Sequence, residues 1–410
     1  MGESKSLTVT LETVTPLFLG GAEPRGAPEL RPPAFRGAMR YWLRALVAAG
    51  NEQKMRKHEE YLFGVGGDEA AASAVSLRLS LPPNLQQPHT ELIKPYTELT
   101  KGRVGTGYLW FAARATKHEQ ERHAIMPTSF TLTLAVRRSK EPERDLEQVA
   151  AVLWVLTRLG GIGARSRRFA GGVQVANVQS AHNSQSFVSR LPVRATSPRE
   201  LADDIAEGIR AARRIFAIQQ LAVPAPDQFD VLHPDRCQIF VLEQDFESWQ
   251  DAVEKIGQVY QSFRALRQPD YSVIKTAMTS GNDLQGTVER AAFGLPVPFF
   301  YRSLGNRTAT LQAAVSQGNN ISKIDRRASP LWMRAVKLSN GKYAVVFTWF
   351  KSQFLPANAE FLLTERKQPD LRGSQLPGDQ LIARFLYRND SQNRSSLIDK
   401  GYSLLEVPLQ

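Results

Sequence analysis

Gly160–Gly172 reads GGIGARSRRFAGG, five glycines and three arginines in thirteen residues. It directly follows an apolar stretch and ends in GGVQVANVQ (Gly171–Gln179), which alternates like a strand. No loop needs that many glycines merely to turn; glycine lets a backbone approach something closely, and the arginines between ask for an anion. Upstream, Leu146, Val149, Leu153 and Leu156 give the apolar stretch the buried stripe of a helix. Further back, LTVTLETVTPLFLGG alternates up to Leu17 and breaks on Gly20 and Gly21, a strand leading into a loop. RPPAFRGAMRYWLRALVAAG, with Pro32 and Pro33 at its start and Gly50 at its stop, predicts a helix. AVSLRLSL (74–81), GYLWFAARA (107–115) and SFTLTLAVRR (129–138) predict strands. Strand, helix, strands, helix, strand is the order of a ferredoxin-like fold.

A second unit begins near Ser197, where Ser197, Pro198 and Glu200 make an N-cap, a first-turn proline and a capping-box partner. Leu201, Ile205 and Ile209 carry that helix toward Phe216. CQIFVLEQD (237–245) predicts a strand, and the segment from Phe246 predicts a helix with Trp249, Val253, Ile256, Val259 or Tyr260, and Phe263 on one face. In LWMRAVKLSNGKYAVVFTWF (331–350), Asn340 and Gly341 suit a type I′ turn between two strands. The polar intervals around 180–196 and 302–328 read as loops. The expectation is an α+β chain of two tandem ferredoxin-like domains, 1–196 and 197–410.

Composition bounds the partners. At 410 residues, with 42% hydrophobic and 22% charged residues, the chain is long and apolar enough for two cores. Its 52 Lys and Arg against 40 Asp and Glu give +12, which favours a polyanion: nucleic acid or an anionic membrane. No signal-peptide core opens the sequence and no run of about 18 apolar residues occurs, so a cytoplasmic chain with no membrane partner is expected. The single Cys237 makes neither an internal disulfide nor a thiolate zinc cage. The charge is uneven. Between Glu147 and Glu200 there is no acid, but Arg158, Arg165, Arg167, Arg168, Arg190, Arg194 and Arg199. From Arg302 to Lys337, Arg302, Arg307, Lys323, Arg326, Arg327, Arg334 and Lys337 face Asp325 alone.

Catalytic patterns are lacking. The six histidines form neither HExxH nor HxH, and His118 with His123 reads as a solvated turn or helix face. Gly66, Gly67, Asp68 and Glu69 resemble the metal-binding hairpin of a nucleotidyl cyclase, but they run into AAASA and read better as a surface turn. No Gly-Lys-Ser/Thr follows Gly160, so a P-loop fails too. One helix carries a functional-looking face. Phe35, Met39, Trp42 and Leu46 form its apolar stripe, while Arg36, Arg40 and Arg44 form a neighbouring row able to meet successive phosphates. Such a row equally serves as an exposed cationic face or pairs with acids elsewhere. Arg25 and Arg31, in the loop feeding the helix, favour the phosphate reading.

These blocks resemble the RAMP superfamily of CRISPR proteins, and within it the RNA-targeting type III-B, or Cmr, effector complex. TPLFLGGAEPRGAPELRPPAFRGAMRYWLRAL, YLFG (Tyr61–Gly64), GGIGARSRRFAGG, RAAFGLPVPF and RRASPLWMRAV look like the blocks of one of its subunits, in order and over most of the chain. The Gly160 stretch corresponds to the RAMP glycine-rich loop, which usually closes on Arg-Arg-Gly; here Phe169 and Ala170 stand before Gly171. The resemblance implies a pair of ferredoxin-like RAMP domains, no catalytic residue, metal or cofactor, and a subunit that holds the 3′ region of the guide RNA (crRNA) and helps capture single-stranded target RNA beside other RAMP subunits. The implied RNA-binding residues are Arg31, Arg36, Arg40, Arg44, Gly161, Gly163, Arg165, Arg167, Arg168, Arg326 and Arg327, with Trp332 expected in a core. Two other readings stand beside it: an endoribonuclease that processes guide precursors, using His182 near the Arg-rich loop, and a double-stranded nucleic-acid or membrane-surface binder acting by charge alone.

Overall fold

The computed structural model describes residues 5–67, 70–82, 91–137, 139–180, 185–265, 268–317, 320–387 and 396–410. Two compact units result: Met1–Gln258 with Trp332–Phe350 and Ser403–Gln410, and Val259–Leu331 with Lys351–Tyr402. Neither is bounded at 196/197, because the chain leaves the first unit after Gln258 and twice returns to it.

In chain order the first unit opens with β1 (Ser6–Thr13), α1 (Pro32–Val47), α2 (Glu52–Phe63), β2 (Val75–Ser80), β3 (Ile93–Pro95), α3 (Tyr96–Thr100), α4 (Val104–Leu109), β4 (His123–Ile125), β5 (Ser129–Val136), α5 (Pro142–Leu159) and β6 (Val173–Val178). It continues through α6 (Pro198–Ile215), β7 (Cys237–Leu242) and the start of α7 (Trp249–Ala265). The second unit holds α8 (Asp270–Ser280), β8 (Val297–Tyr301), β9 (Arg307–Gln317) and β10 (Asn320–Ile324) before β11 (Leu331–Lys337) and β12 (Tyr343–Phe350) lead back to the first. Then come β13 (Ala359–Glu365), β14 (Leu371–Gly373) and α9 (Gln380–Leu386) in the second unit, and β15 (Leu404–Val407) in the first.

The first unit contains two four-stranded sheets of the same pattern, β2-β5-β1-β6 and β11-β12-β7-β15. In each, the strand that comes first along the chain lies between the third and the fourth. Alternation fixes the register: β1 and β5 both read outside-inside with Leu7, Val9 and Leu11 buried opposite Leu134, Leu132 and Phe130. Of the expected stripe of α5, Val149, Leu153 and Leu156 are buried and Leu146 is half-buried, but the stripe is too narrow. Residues 148–159 are buried all round, Arg158 included, because α1 and α6 both pack on the helix. Arg158 tolerates this burial by pairing with Asp204 at 2.9 Å and donating to the carbonyls of Arg190, Leu191 and Pro192. The second unit has its own core around Ile274, Leu295, Leu311 and Phe361, under a sheet of order β10-β9-β13-β14 with β8 also on β9.

The Ser197 start holds: Ser197 Oγ accepts from Glu200 N–H, and the Glu200 carboxylate accepts from Thr196 N–H. Three local expectations fail. Gly107–Ala113 forms helical turns, the end of α4 and a 3-10 turn at Phe111–Ala113, and no strand. Glu254 accepts from the N–H groups of Gly105 and Thr106 at the start of α4, and Gly105 meets Gly257 of α7 too closely for any side chain. The 331–350 hairpin exists, but only Gly341 has positive φ, whereas a type I′ turn needs it at Asn340 also. Asn340 is held otherwise, donating through its amide to Thr196 O at 2.7 Å. The 302–328 interval carries β9 and β10. Asp68, Glu69 and His182 lie outside the described residues. Among the described residues no helix is long and apolar enough to cross a membrane.

Candidate nucleic-acid interface

The Gly160–Gly172 loop is knotted to its surroundings by hydrogen bonds. Ile162 N–H donates to Gly171 O, Ala164 N–H to Phe18 O, and Gly171 N–H to Pro16 O, at 2.8–2.9 Å. Buried Thr15 donates to Phe169 O and accepts from Gly172 N–H at 2.9 Å, and Trp110 Nε1 donates to Arg168 O. Three consecutive residues of β11 complete the grip. Trp332 lies under Arg167, Met333 O accepts from Phe169 N–H, and Arg334 donates to the carbonyls of Gly160 and Val173 at the two ends of the loop. Burial, and next the Arg158 charge, lowers the Arg334 pKa to about 9.

The close approach that the glycines permit is to the protein itself. A β carbon on Gly160 would strike the Trp42 indole, one on Gly163 would fall 2.5 Å from Phe18 O, and one on Gly171 closer still to Ile162 O. Gly163 and Gly171 also hold φ of +84° and +71°, which only glycine adopts freely. Arg165 and Phe169 share the left-handed region, at +63° and +68°. Phe169 takes this conformation with its ring buried.

Most of the arginines assigned to RNA are engaged within the protein. Arg40 Nε and Arg44 Nη1 both lie on Glu59 Oε1 of α2, at 2.7 and 3.0 Å. Arg36 donates to Phe63 O at 3.3 Å. Arg167 packs over the Trp332 ring at 4.7 Å and the Tyr41 ring at 5.5 Å, and meets Asp230 at 3.3 Å. Arg168 is buried. Arg327, in the second unit, donates to Phe354 O at 2.7 Å and to Ser352. Arg31, beside Glu29 at 4.0 Å, Arg165 and the exposed Arg326 keep their side chains at least partly in solvent. Trp332 is buried as expected.

What the structure brings together is α1 and the loop. Between them opens a depression of about 340 Å³. Its helix wall is Pro33, Gly37, Ala38 and Tyr41, and its loop wall is Gly161, Gly163, Ser166 and Arg167, with Trp332 between. Tyr41 donates to Asp230 at 2.6 Å, so one carboxylate holds both Tyr41 and Arg167 in place. Burial outweighs the opposing Arg167 charge and, with the Asp230 charge, pushes the Tyr41 pKa well above its ordinary value. Sequence reasoning missed Asp230 and Gly37. The first shows only as a lone acid inside the apolar run FDVL, and the second as a glycine within a helix. Among the described residues no group of three or more His, Cys, Asp or Glu side chains is placed to hold a metal.

This loop and helix lie in the segment that comparison with known proteins identifies. Residues 10–174 match the model of the RAMP superfamily. The particular likeness is to Cmr1. Over 353 residues the chain is 24% identical to CRISPR system Cmr subunit Cmr1-1 of Pyrococcus furiosus, covering 84% of this chain and 88% of the relative. It is 27% identical over 176 residues to Cmr1-2 of the same organism, covering 40% of this chain and 92% of the relative. The crystal structure of apo Cmr1 from Pyrococcus furiosus shares the fold, with a TM-score of 0.54 at 19% identity over 86% of this chain and 90% of that one. A chain in the cryo-EM structure of the type III-B Cmr-beta complex bound to cognate target RNA also shares it, with a TM-score of 0.54 at 12% identity over 85% and 96%.

Proposed function

We propose that this chain is a non-catalytic RNA-binding subunit of a type III-B CRISPR effector complex, holding the 3′ region of the guide RNA and helping to capture single-stranded target RNA beside other Cmr subunits. The two like-ordered sheets of the first unit are its tandem ferredoxin-like RAMP domains. One observation carries the reading: the RAMP segment presents an open depression formed by its glycine-rich loop and first helix, backed by a rigidly held guanidinium and two aromatic rings. Arg31 and Arg165, partly in solvent in that segment, take phosphates, as does Arg326 elsewhere on the chain.

The test is assembly of the full-length chain with guide RNA and the other Cmr subunits, followed by RNA binding across a salt series. Replacing Arg31, Arg165 or Arg326 by alanine leaves one phosphate without its cation and lowers the log–log salt slope by roughly 0.7 in each case. Unchanged slopes for all three overturn the phosphate assignment. The purified chain, with or without magnesium, leaves labelled guide repeat and target RNA intact; specific cleavage abolished by His182→Ala establishes the endoribonuclease instead.

A further inference from the structure

The guanidinium in the lining of the depression is already paired. Arg167, the guanidinium in its lining, is committed to Asp230 and to the two rings, and Arg40 and Arg44 of the same helix share Glu59. The rest of the lining is uncharged: small residues such as Gly37, Ala38 and Gly163, the Ser166 hydroxyl, and the Tyr41 and Trp332 rings, whose centroids lie 5.4 Å apart. A phosphate seated there would surrender its hydration for neutral walls and a guanidinium already paired. A nucleobase has little hydration to surrender at its faces, and it gains stacking on aromatic and guanidinium planes.

We infer that the depression receives one unpaired nucleobase of the bound RNA, with the sugar-phosphate chain passing outside it. The inference rests on the RNA-binding reading above and specifies what that site holds. Gly37 makes it testable. It is exposed on α1, and no heavy atom lies within 4 Å of where its β carbon would be. Gly37→Leu therefore starts its side chain in open space and adds bulk at the depression, and it removes a helix-interior glycine, which favours the folded state.

The experiment measures RNA affinity of the assembled complex, wild type against Gly37→Leu, over a salt series, with an abasic residue stepped along the RNA. The melting temperature of Gly37→Leu is unchanged or raised. Its affinity for intact RNA falls roughly ten- to a hundredfold, the weight of one stacked base, while its salt slope stays that of wild type. One abasic position weakens wild type by a similar factor and leaves Gly37→Leu unaffected. A salt slope lowered by Gly37→Leu places a phosphate in the depression and overturns the inference. Equal affinity of the two proteins for intact RNA overturns it as well. Failure of the wild-type complex to bind RNA refutes the RNA-binding reading itself, and the inference with it.

Discussion

Replacing Gly171 by alanine tests whether the loop's glycines serve packing. Gly171 holds φ of +71°, and a β carbon there would collide with the Ile162 carbonyl, whose own N–H is bonded back to Gly171 O at 2.9 Å. Ile162 therefore cannot withdraw without losing that bond. Left-handed backbone costs a non-glycine residue about 1–2 kcal/mol, and forced shifts in a packed interior cost about 1–3 kcal/mol more. Gly171→Ala is thus expected to destabilise by about 2–5 kcal/mol, which for a unit of this size lowers the melting temperature by roughly 4–10 °C. Thermal melts of the full-length protein, with Gly37→Ala as a control in open space, give the comparison. The control melts at or above the wild-type temperature. A Gly171→Ala protein that melts with wild type refutes the packing role of the loop.

Asp230→Ala leaves the Tyr41 hydroxyl and the Arg167 guanidinium without their shared acceptor and is expected to cost about 2–3 kcal/mol by denaturant titration; a loss below about 0.5 kcal/mol shows that the pair is not held by Asp230. Arg40→Ala with Arg44→Ala, which releases two ion pairs to Glu59, is expected to shift the RNA salt slope by less than the roughly 0.7 that one neutralised phosphate contributes; a fall of about twice that value returns the row to RNA. Burial, together with Arg144, lowers the His58 pKa below its ordinary 6.5, and the ring meets Phe216 edge-on at 5.1 Å. The unfolded chain then binds the proton first, so His58 contributes stability above about pH 6.5 that is lost as pH falls through the folded-state pKa. Melting temperatures at pH 7.5 and 5.5 should differ less in His58→Phe than in wild type, and an equal difference shows that His58 is not the titrating group.

The strand and helix order was legible because period-2 and period-3.6 patterns survive wherever one face is buried, as in β1, β5, α1 and α7. GYLWFAARA misled because its helical turns are imposed from outside, by Glu254 at the start of α4 and by the Gly105–Gly257 contact, neither of them local in sequence. The second unit's place in the chain was hidden for a related reason: β7 pairs with β12 and β15, which lie far along the sequence, and no local signal announces such pairing. Within the site, the run of glycines was legible, but the close approach made at Gly160, Gly163 and Gly171 is to the protein's own Trp42, Phe18 and Ile162. Arginine identity alone does not tell a phosphate contact from an ion pair, and Glu59 and Asp230, which pair with Arg40, Arg44 and Arg167, sit 15 or more residues from the arginines they hold.

RNA binding at the depression is tested most directly by ultraviolet crosslinking of guide and target RNA to the assembled complex, with the crosslinked peptides mapped by mass spectrometry. RNA carried by this subunit at the depression predicts crosslinks within 32–47 and 160–172, centred on Tyr41 and the loop, and their loss in Gly37→Leu. Crosslinks confined to the other subunits, or to surfaces of this chain away from both segments, contradict it.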